Sequence, residues 1–302
     1  MIPPTVALLA DGRRLHLQHG PIDLVIEAFG EPAEVAAAYR QAWACFPPIL
    51  PRLVEELPLL RRPAGPGLAV AGPVAGRMRR AVLPHAGGFI TPMAAVAGAV
   101  ADEVLEALVA GRRLRRAYVN NGGDIALHLT PGTRFDIGLI AALETPVPDA
   151  IATIAHSSPV RGIATSGWGG RSFSLGIADA VTVLADDGAA ADAAATPIAN
   201  AVTIEHPAIR RAAASSLDPD SDLGSRLVTV AVGALGVRDI GAALDVGRRA
   251  AEKMLADGLI VAACLSLKGH YRVVGEGTAA AAVAATGAGE RSIGCSRFAS
   301  LS

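Results

Sequence analysis

The sequence predicts an α+β fold, α/β-like in having mixed sheets covered by helices. Three observations predict it. Short apolar runs bounded by Gly, Pro, Asn and Asp alternate with longer Ala-rich segments of helical period. Apolar residues fill 51% of 302 positions, enough to bury a large core. Stretches rich in Gly, Ser, Thr, Asn and Asp abut apolar strand-like runs, as strand ends in a sheet protein do. The length allows one large domain or two modest ones. The chain reads as a single domain over residues 1–302, with lobes from 77–204 and from 1–76 with 205–302. No repeat of fixed period is present.

Residues 5–10 and 14–18 flank Asp11-Gly12, a hairpin signal, and 22–28 form a third strand ending at Gly30. Residues 32–44 are helical, with Val35, Ala38 and Trp43 as apolar surface; Pro47, Pro48 and Pro51 break the pattern. Residues 52–57 form a short helix stopped by Pro58, and the Gly/Pro-rich stretch 63–76 is a loop. Thr91-Pro92 opens a helix over 93–109, with Val100, Val104 and Leu108 on one side and Asp102, Glu103 and Glu106 on the other. Gly111 ends it, and Arg112, Arg113, Arg115 and Arg116 suit its carbonyl end. Strands follow at 117–120, 124–129, 135–141 and 180–184, the first two joined at Gly122-Gly123. Residues 189–201 are helical, with Pro197 as a kink. Residues 217–223 are turn-like, 227–233 a strand, and 240–255 an amphipathic helix closed by Gly258. Residues 259–267 and 271–274 make a hairpin about Lys268-Gly269, and 275–289 are low in complexity.

Composition excludes several function classes. A net charge of −1 gives no electrostatic case for nucleic acid or an anionic membrane. Residues 81–101 carry no Asp, Glu, Lys or Arg, yet Pro84, Gly87, Gly88 and Pro92 make them a loop entering a buried helix, not a span. The N-terminus lacks a secretory pattern. Cys45, Cys264 and Cys295 show no CxxC spacing, and their odd number suits a reducing compartment, so a cytoplasmic location is expected. No histidine pair has zinc-hydrolase spacing.

Three constellations could carry chemistry. Asn121-Gly122-Gly123-Asp124 lets a ligand approach the backbone without a Cβ in the way, with Asp124 as an acceptor; a hairpin turn is the alternative. Thr165-Ser166-Gly167 ends a strand and could offer amides and hydroxyls to a phosphate, with Arg171 to neutralise it. Ser172 and Ser174 share a face if that stretch is a regular strand. Asp192 and Thr196, four apart on a helix, stack a carboxylate and a hydroxyl on one face, a set suited to Mg²⁺. His85 and His156 are the candidate general bases.

These segments closely resemble the UPF0280 family. The resemblance rests on residues 91–102, 120–125, 165–167 with 170–172, 176–183 and 191–196, and is dense over roughly 80–205. That family looks like a branch of the ApbE superfamily of FAD:protein FMN transferases. The resemblance implies a T-fold-like architecture with a cleft between two lobes. Gly98 with Asp102, Gly122 to Asp124, Ala164 to Gly167, and Asp192 with Thr196 take the places of the superfamily motifs. By resemblance Asp192, Thr196 and the Ala164 carbonyl hold Mg²⁺, and the Gly122 to Asp124 turn lies against a flavin, FAD or FMN. Two positions depart from the pattern: Ala97 stands where the transferases have Lys, and residues 168–178 lack their H-x-x-D-P-x-T-G segment. The expectation is a protein that binds a flavin or another small phosphate-bearing ligand with Mg²⁺. One alternative is an FMN transferase with His156 or His85 as a non-standard base. Another is a non-catalytic binding or assembly protein linked to pterin-dependent one-carbon metabolism. The apolar surplus is compatible with a homodimer.

Overall fold

The computed structural model describes residues 3–139 and 150–275. The predicted low-complexity tail beyond 275, and Cys295 with it, lie outside the described residues. In chain order the elements are β1 (Thr5–Leu8), β2 (Leu15–His19), β3 (Ile22–Gly30), α1 (Pro32–Cys45), α2 (Ile49–Leu60), α3 (Pro73–Val82) and α4 (Val96–Val109). Then come β4 (Leu114–Asn121), β5 (Asp124–Leu129), β6 (Arg134–Leu139), β7 (Ala150–Ala155), β8 (Gly162–Ser166), β9 (Ala180–Ala185) and α5 (Gly188–Ala201). The chain continues with β10 (Ile209–Ala213), α6 (Ala214–Leu217), β11 (Leu227–Val232), α7 (Val237–Ala256), β12 (Ala262–Leu267) and β13 (His270–Val274). Two 3₁₀ turns, Leu83–His85 and Pro92–Ala95, precede α4.

Nine strands form one sheet in the order β1-β2-β3-β4-β5-β8-β9-β12-β13, and β6-β7 and β10-β11 form separate pairs. The α+β class holds; within it every pairing among the described strands is antiparallel, where a mixture of directions was expected. Helices α1, α4, α5 and α7 cover one face of the large sheet. Under α1 and α4 the core is Leu24, Ile26, Val119 and Val104; under α5 and α7 it is Val181, Val183, Ile198 and Leu244. The β6-β7 pair covers part of the opposite face through Phe135 and Ile154, which pack on Leu127, Ile163 and Leu184. Among the described residues no helix is long and apolar enough to cross a membrane.

Local departures from expectation have physical causes. Pro58 does not stop α2; the helix runs on to Leu60 with Pro58 in its last turn, and Arg61 closes it on the Leu57 carbonyl. Residues 73–76, read as loop, are the first turn of α3. Pro73 supplies a preset φ there, and both Glu56 oxygens accept from the amides of Ala71 and Gly72 at 2.7 Å. Residues 172–174 form no strand, so Ser172 and Ser174 do not share a pleated face. Strands β7 and β10 were not anticipated; each pairs with a single neighbour outside the large sheet.

Helices α4 and α5 meet at an unusually close contact. A Cβ on Gly98 would come within 2.1 Å of the Gly188 carbonyl oxygen, and one on Gly162 within 1.8 Å of the Asp187 carbonyl oxygen. Glycine at 98 and 162 therefore lets α4 and β8 approach the first turn of α5. That turn is tied by Asp102, whose two oxygens accept from the amides of Gly188 and Ala189 at 2.9 and 2.8 Å. Asp102 was expected on the polar side of its helix with Glu103 and Glu106. It is instead buried, at 9% exposure, because the N-terminal amides of α5 need an acceptor there.

Burial, and secondarily Asp187, push the Asp102 carboxyl up to about 6. A raised folded-state value means the native protein holds this proton more tightly than the unfolded chain does. The contribution of Asp102 is therefore fully present below about pH 4 and is lost as pH rises through 6. Relative to Asp102→Asn, wild-type stability in urea should fall by about 2 kcal/mol between roughly pH 4.5 and 7. An unchanged difference would show that Asp102 is not buried at this junction.

Candidate functional site

The Asn120 to Asp124 segment is the tight turn between β4 and β5. Gly122 and Gly123 hold φ of +64° and +114°, values that favour glycine, and the Asn120 side chain accepts from the Gly123 amide at 2.8 Å. Strand alternation sends Ala117, Val119 and Asn121 toward the helices. Asn121 is buried there and donates to the Ala97 carbonyl at 3.1 Å, at the start of α4.

Pairing of β5 with β8 covers Ile125↔Ile163 and Ala126↔Gly162 and goes no further toward the turn. Beyond it the Thr165 amide donates to Asp124 Oδ1 at 3.2 Å, so a side chain replaces the missing strand partner. The Thr165 hydroxyl does not face the same way. It meets the Thr182 hydroxyl at 2.9 Å across the β8-β9 pair, on the face away from the helices. Ala164 is buried in β8 opposite Val183, and Ser166 and Gly167 follow at the strand end.

Asp192 lies in the second turn of α5. Its Oδ2 accepts from the Gly98 amide at 3.0 Å, and the Ala97 amide also supports it. Helices α4 and α5 thus exchange carboxylates: Asp102 of α4 holds the start of α5, and Asp192 of α5 holds the start of α4. Burial raises the Asp192 carboxyl well above the ordinary range, and the neighbouring Asp124 charge raises it further. Asp124 is pushed up to about 7 by burial, with the Thr165 amide and Arg171 pulling it back. Thr196 follows one turn after Asp192 and is half-buried.

Arg171 stands in an exposed segment of the 167–179 loop, and its guanidinium lies on Gly122. A Cβ at that glycine would be 1.8 Å from Nη2. The loop is anchored at both ends. The Trp168 amide donates to the Ala178 carbonyl at 3.0 Å, and its indole to Asp179 at 3.2 Å. Asn200 of α5 accepts from the Ser174 hydroxyl and the Leu175 amide, and Asp179 accepts from the Lys268 amide. Asp179 and Asn200 were not anticipated; an Asp in the apolar run 177–183 was the available signal for the first.

The structure thus brings Asn121, Gly122, Gly123, Asp124, the Thr165 amide, Arg171 and Asp192 together where the β4-β5 turn and the end of β8 meet the starts of α4 and α5. It does not bring His156 there. That ring donates from Nδ1 to the Leu129 carbonyl at 2.9 Å, at the far end of β5 and about 17 Å along the strand from Asp124. His85 is half-buried on the 3₁₀ turn packed against α3 and α5, and burial lowers its pKa. Among the described residues no three His, Cys, Asp or Glu side chains cluster as a metal site. A hard cation would therefore need oxygens of mixed type, and the second carboxylate oxygen of Asp192, the Thr196 hydroxyl and the Ala164 carbonyl are of the right kind.

Replacing Asp124 with Asn removes one of the two charges. The Asp192 carboxyl should then titrate at lower pH, read by carboxyl ¹³C shifts. An unmoved titration would show that the two groups do not face each other.

Comparison with known proteins places the chain in a family. A family model described as "AbpE bacteria" matches residues 6–273. A UPF0280 protein of Methanothrix thermoacetophila is 38% identical over 161 residues, 52% of this chain and 63% of the relative. One from Methanosarcina acetivorans is 39% identical over 122 residues, 40% of this chain and 46% of the relative. The matched stretch thus spans less than two thirds of either relative. Among solved structures, the apo flavinyl transferase ApbE of Pseudomonas stutzeri aligns with 91% of this chain and 95% of its own, at a TM-score of 0.46 and 13% identity. A mutant of the flavin transferase ApbE from Vibrio cholerae aligns with 88% of this chain and 98% of its own, at 0.41 and 14%. The chain belongs to the AbpE bacteria family.

Proposed function

Starting from that membership, we propose that this protein binds a small phosphate-bearing molecule, a flavin nucleotide such as FAD or FMN, together with Mg²⁺. The site is the cleft between the Gly122 to Asp124 turn and the first turns of α4 and α5. The observation that carries the reading is geometric: Asp124 at the glycine turn accepts from the Thr165 amide, Arg171 lies on Gly122 of the same turn, and Asp192 accepts from the Gly98 amide at the start of α4, with burial holding both carboxyls toward their protonated forms. Two carboxylates in a half-buried cleft repel each other, and a divalent cation relieves that repulsion. Asp192, Thr196 and the Ala164 carbonyl would hold the ion, which would screen the phosphate charge and polarise a phosphoryl oxygen.

The remaining work falls to the chain itself. Arg171 offers a planar pair of donors to phosphate oxygens. Gly123, with no atom within 4 Å of where a Cβ would sit, leaves the turn open to a flat ring system beside the Arg171 guanidinium on Gly122. Asn121 fixes the Ala97 carbonyl, and the Thr165 amide orients Asp124. No histidine joins this set, so binding is favoured over transfer of a flavin to an acceptor hydroxyl. The transferase reading keeps one supporting observation: His85 stands on a turn packed against α5, the helix that carries Asp192. A non-catalytic assembly role with a pterin ligand is the third reading. All three readings go with a cytoplasmic location and a small-molecule ligand, and are compatible with either a monomer or a homodimer.

Thermal unfolding against FAD, FMN, ADP and a pterin, each with and without Mg²⁺, tests the proposal. A ligand at about 100 times its dissociation constant should add about 2.7 kcal/mol, a rise of a few degrees. With FAD the rise should depend on Mg²⁺ and be lost in Asp192→Asn and Arg171→Ala. Absence of any flavin shift in the wild type would overturn the reading; a Mg²⁺-independent shift would remove the metal from it.

A further inference from the structure

A second concave site lies on the outer side of α3. The loop of residues 66–70 and the helix face bearing Gly76, Arg79 and Arg80 enclose a groove of roughly 460 Å³. That volume lies within the range of small-molecule sites. No acidic side chain lines it.

The two arginines are held without acidic partners. Arg77, on the other side of the same helix, pairs with Glu103 and Glu106. Among the described residues Arg79 and Arg80 form no ion pair. A guanidinium carries five N–H donors. For Arg79 the one acceptor among the described residues is the Pro66 carbonyl, at 3.3 Å, the long end of hydrogen-bond distance. Its Nε is enclosed and has no acceptor, so packing holds the stem in place. Arg80 folds back along the helix; its Nη1 would lie 3.7 Å from a Cβ on Gly76. The second guanidinium thus lies against the Gly76 backbone in the groove wall, and Gly67 in the opposing loop adds no side chain to the groove.

We propose that this groove binds the phosphate or diphosphate group of a small molecule through Arg79 and Arg80. Two neighbouring guanidiniums in a concave wall without carboxylates favour a compact oxyanion, because each pairs with two oxygens at once. The site is separate from the Asp124 and Asp192 cleft and does not depend on it.

The test uses inorganic pyrophosphate without Mg²⁺ on full-length Arg171→Ala protein, in which the cleft's own phosphate ligand is removed. Calorimetry and the arginine Nε–H resonances of Arg79 are followed together. The Arg79 resonance should shift saturably at millimolar pyrophosphate. Adding Arg80→Gln, a change at an exposed side chain, should raise the half-saturation point at least tenfold. An unmoved Arg79 resonance would overturn the proposal, as would equal binding with and without Arg80. Arg79→Lys, which keeps the charge but loses the planar fork, should weaken binding if the contact is bidentate and leave it unchanged if only charge is sensed.

Discussion

Helices α4 and α5 touch at their first turns, and glycine at 98 is what permits it. Two helix starts leave backbone amides without partners inside the protein, and each is satisfied by a carboxylate from the other helix. Asp102 reaches Gly188 and Ala189; Asp192 reaches Gly98. The exchange works only at a spacing that glycine permits, because a side chain at 98 would strike the Gly188 carbonyl. An unsatisfied buried amide or an unpaired buried carboxylate would each cost on the order of 1–3 kcal/mol or more. The four groups are therefore stable together and costly apart.

From that junction the cleft follows by geometry. Fixing the start of α4 fixes the Ala97 carbonyl, which Asn121 grips from β4, and so places the glycine turn under the helix ends. Fixing the start of α5 places Asp192 near enough to Asp124 for its charge to be felt. Gly162 brings β8 against Asp187, and the Thr165 amide then meets Asp124 where β5 and β8 part. The charged groups of the cleft thus sit on helix turns and strand ends whose positions the carboxylate exchange determines. The exception is Arg171, whose loop is pinned instead by Trp168, Asp179 and Asn200.

Much of the helix and strand order was legible because apolar period and Gly/Pro punctuation are local signals. Strand β5 and the bulk of α1, α4, α5 and α7 fall where the pattern puts them. The glycine turn and its Asp were legible for the same reason. The side on which Asp102 lies was not, since a helical wheel groups it with Glu103 and Glu106, and only the approach of α5 gives it amides to bind. The direction of the Thr165 hydroxyl was likewise hidden, because it depends on pairing with Thr182 in β9. His156 looked available in sequence but is spent on the Leu129 carbonyl. What failed to be legible is in each case a contact between elements distant in the chain.

In the proposed site Asp192 has two duties, one oxygen accepting from the Gly98 amide and the other turned to a cation. The most direct measurement is anomalous diffraction from crystals grown with Mn²⁺ in place of Mg²⁺ and with FAD present. A single strong peak is expected within bonding distance of Asp192, Thr196 and the Ala164 carbonyl, with the Gly98 amide still on the other Asp192 oxygen. A cleft without a peak, or Mn²⁺ bound away from Asp192, would contradict it.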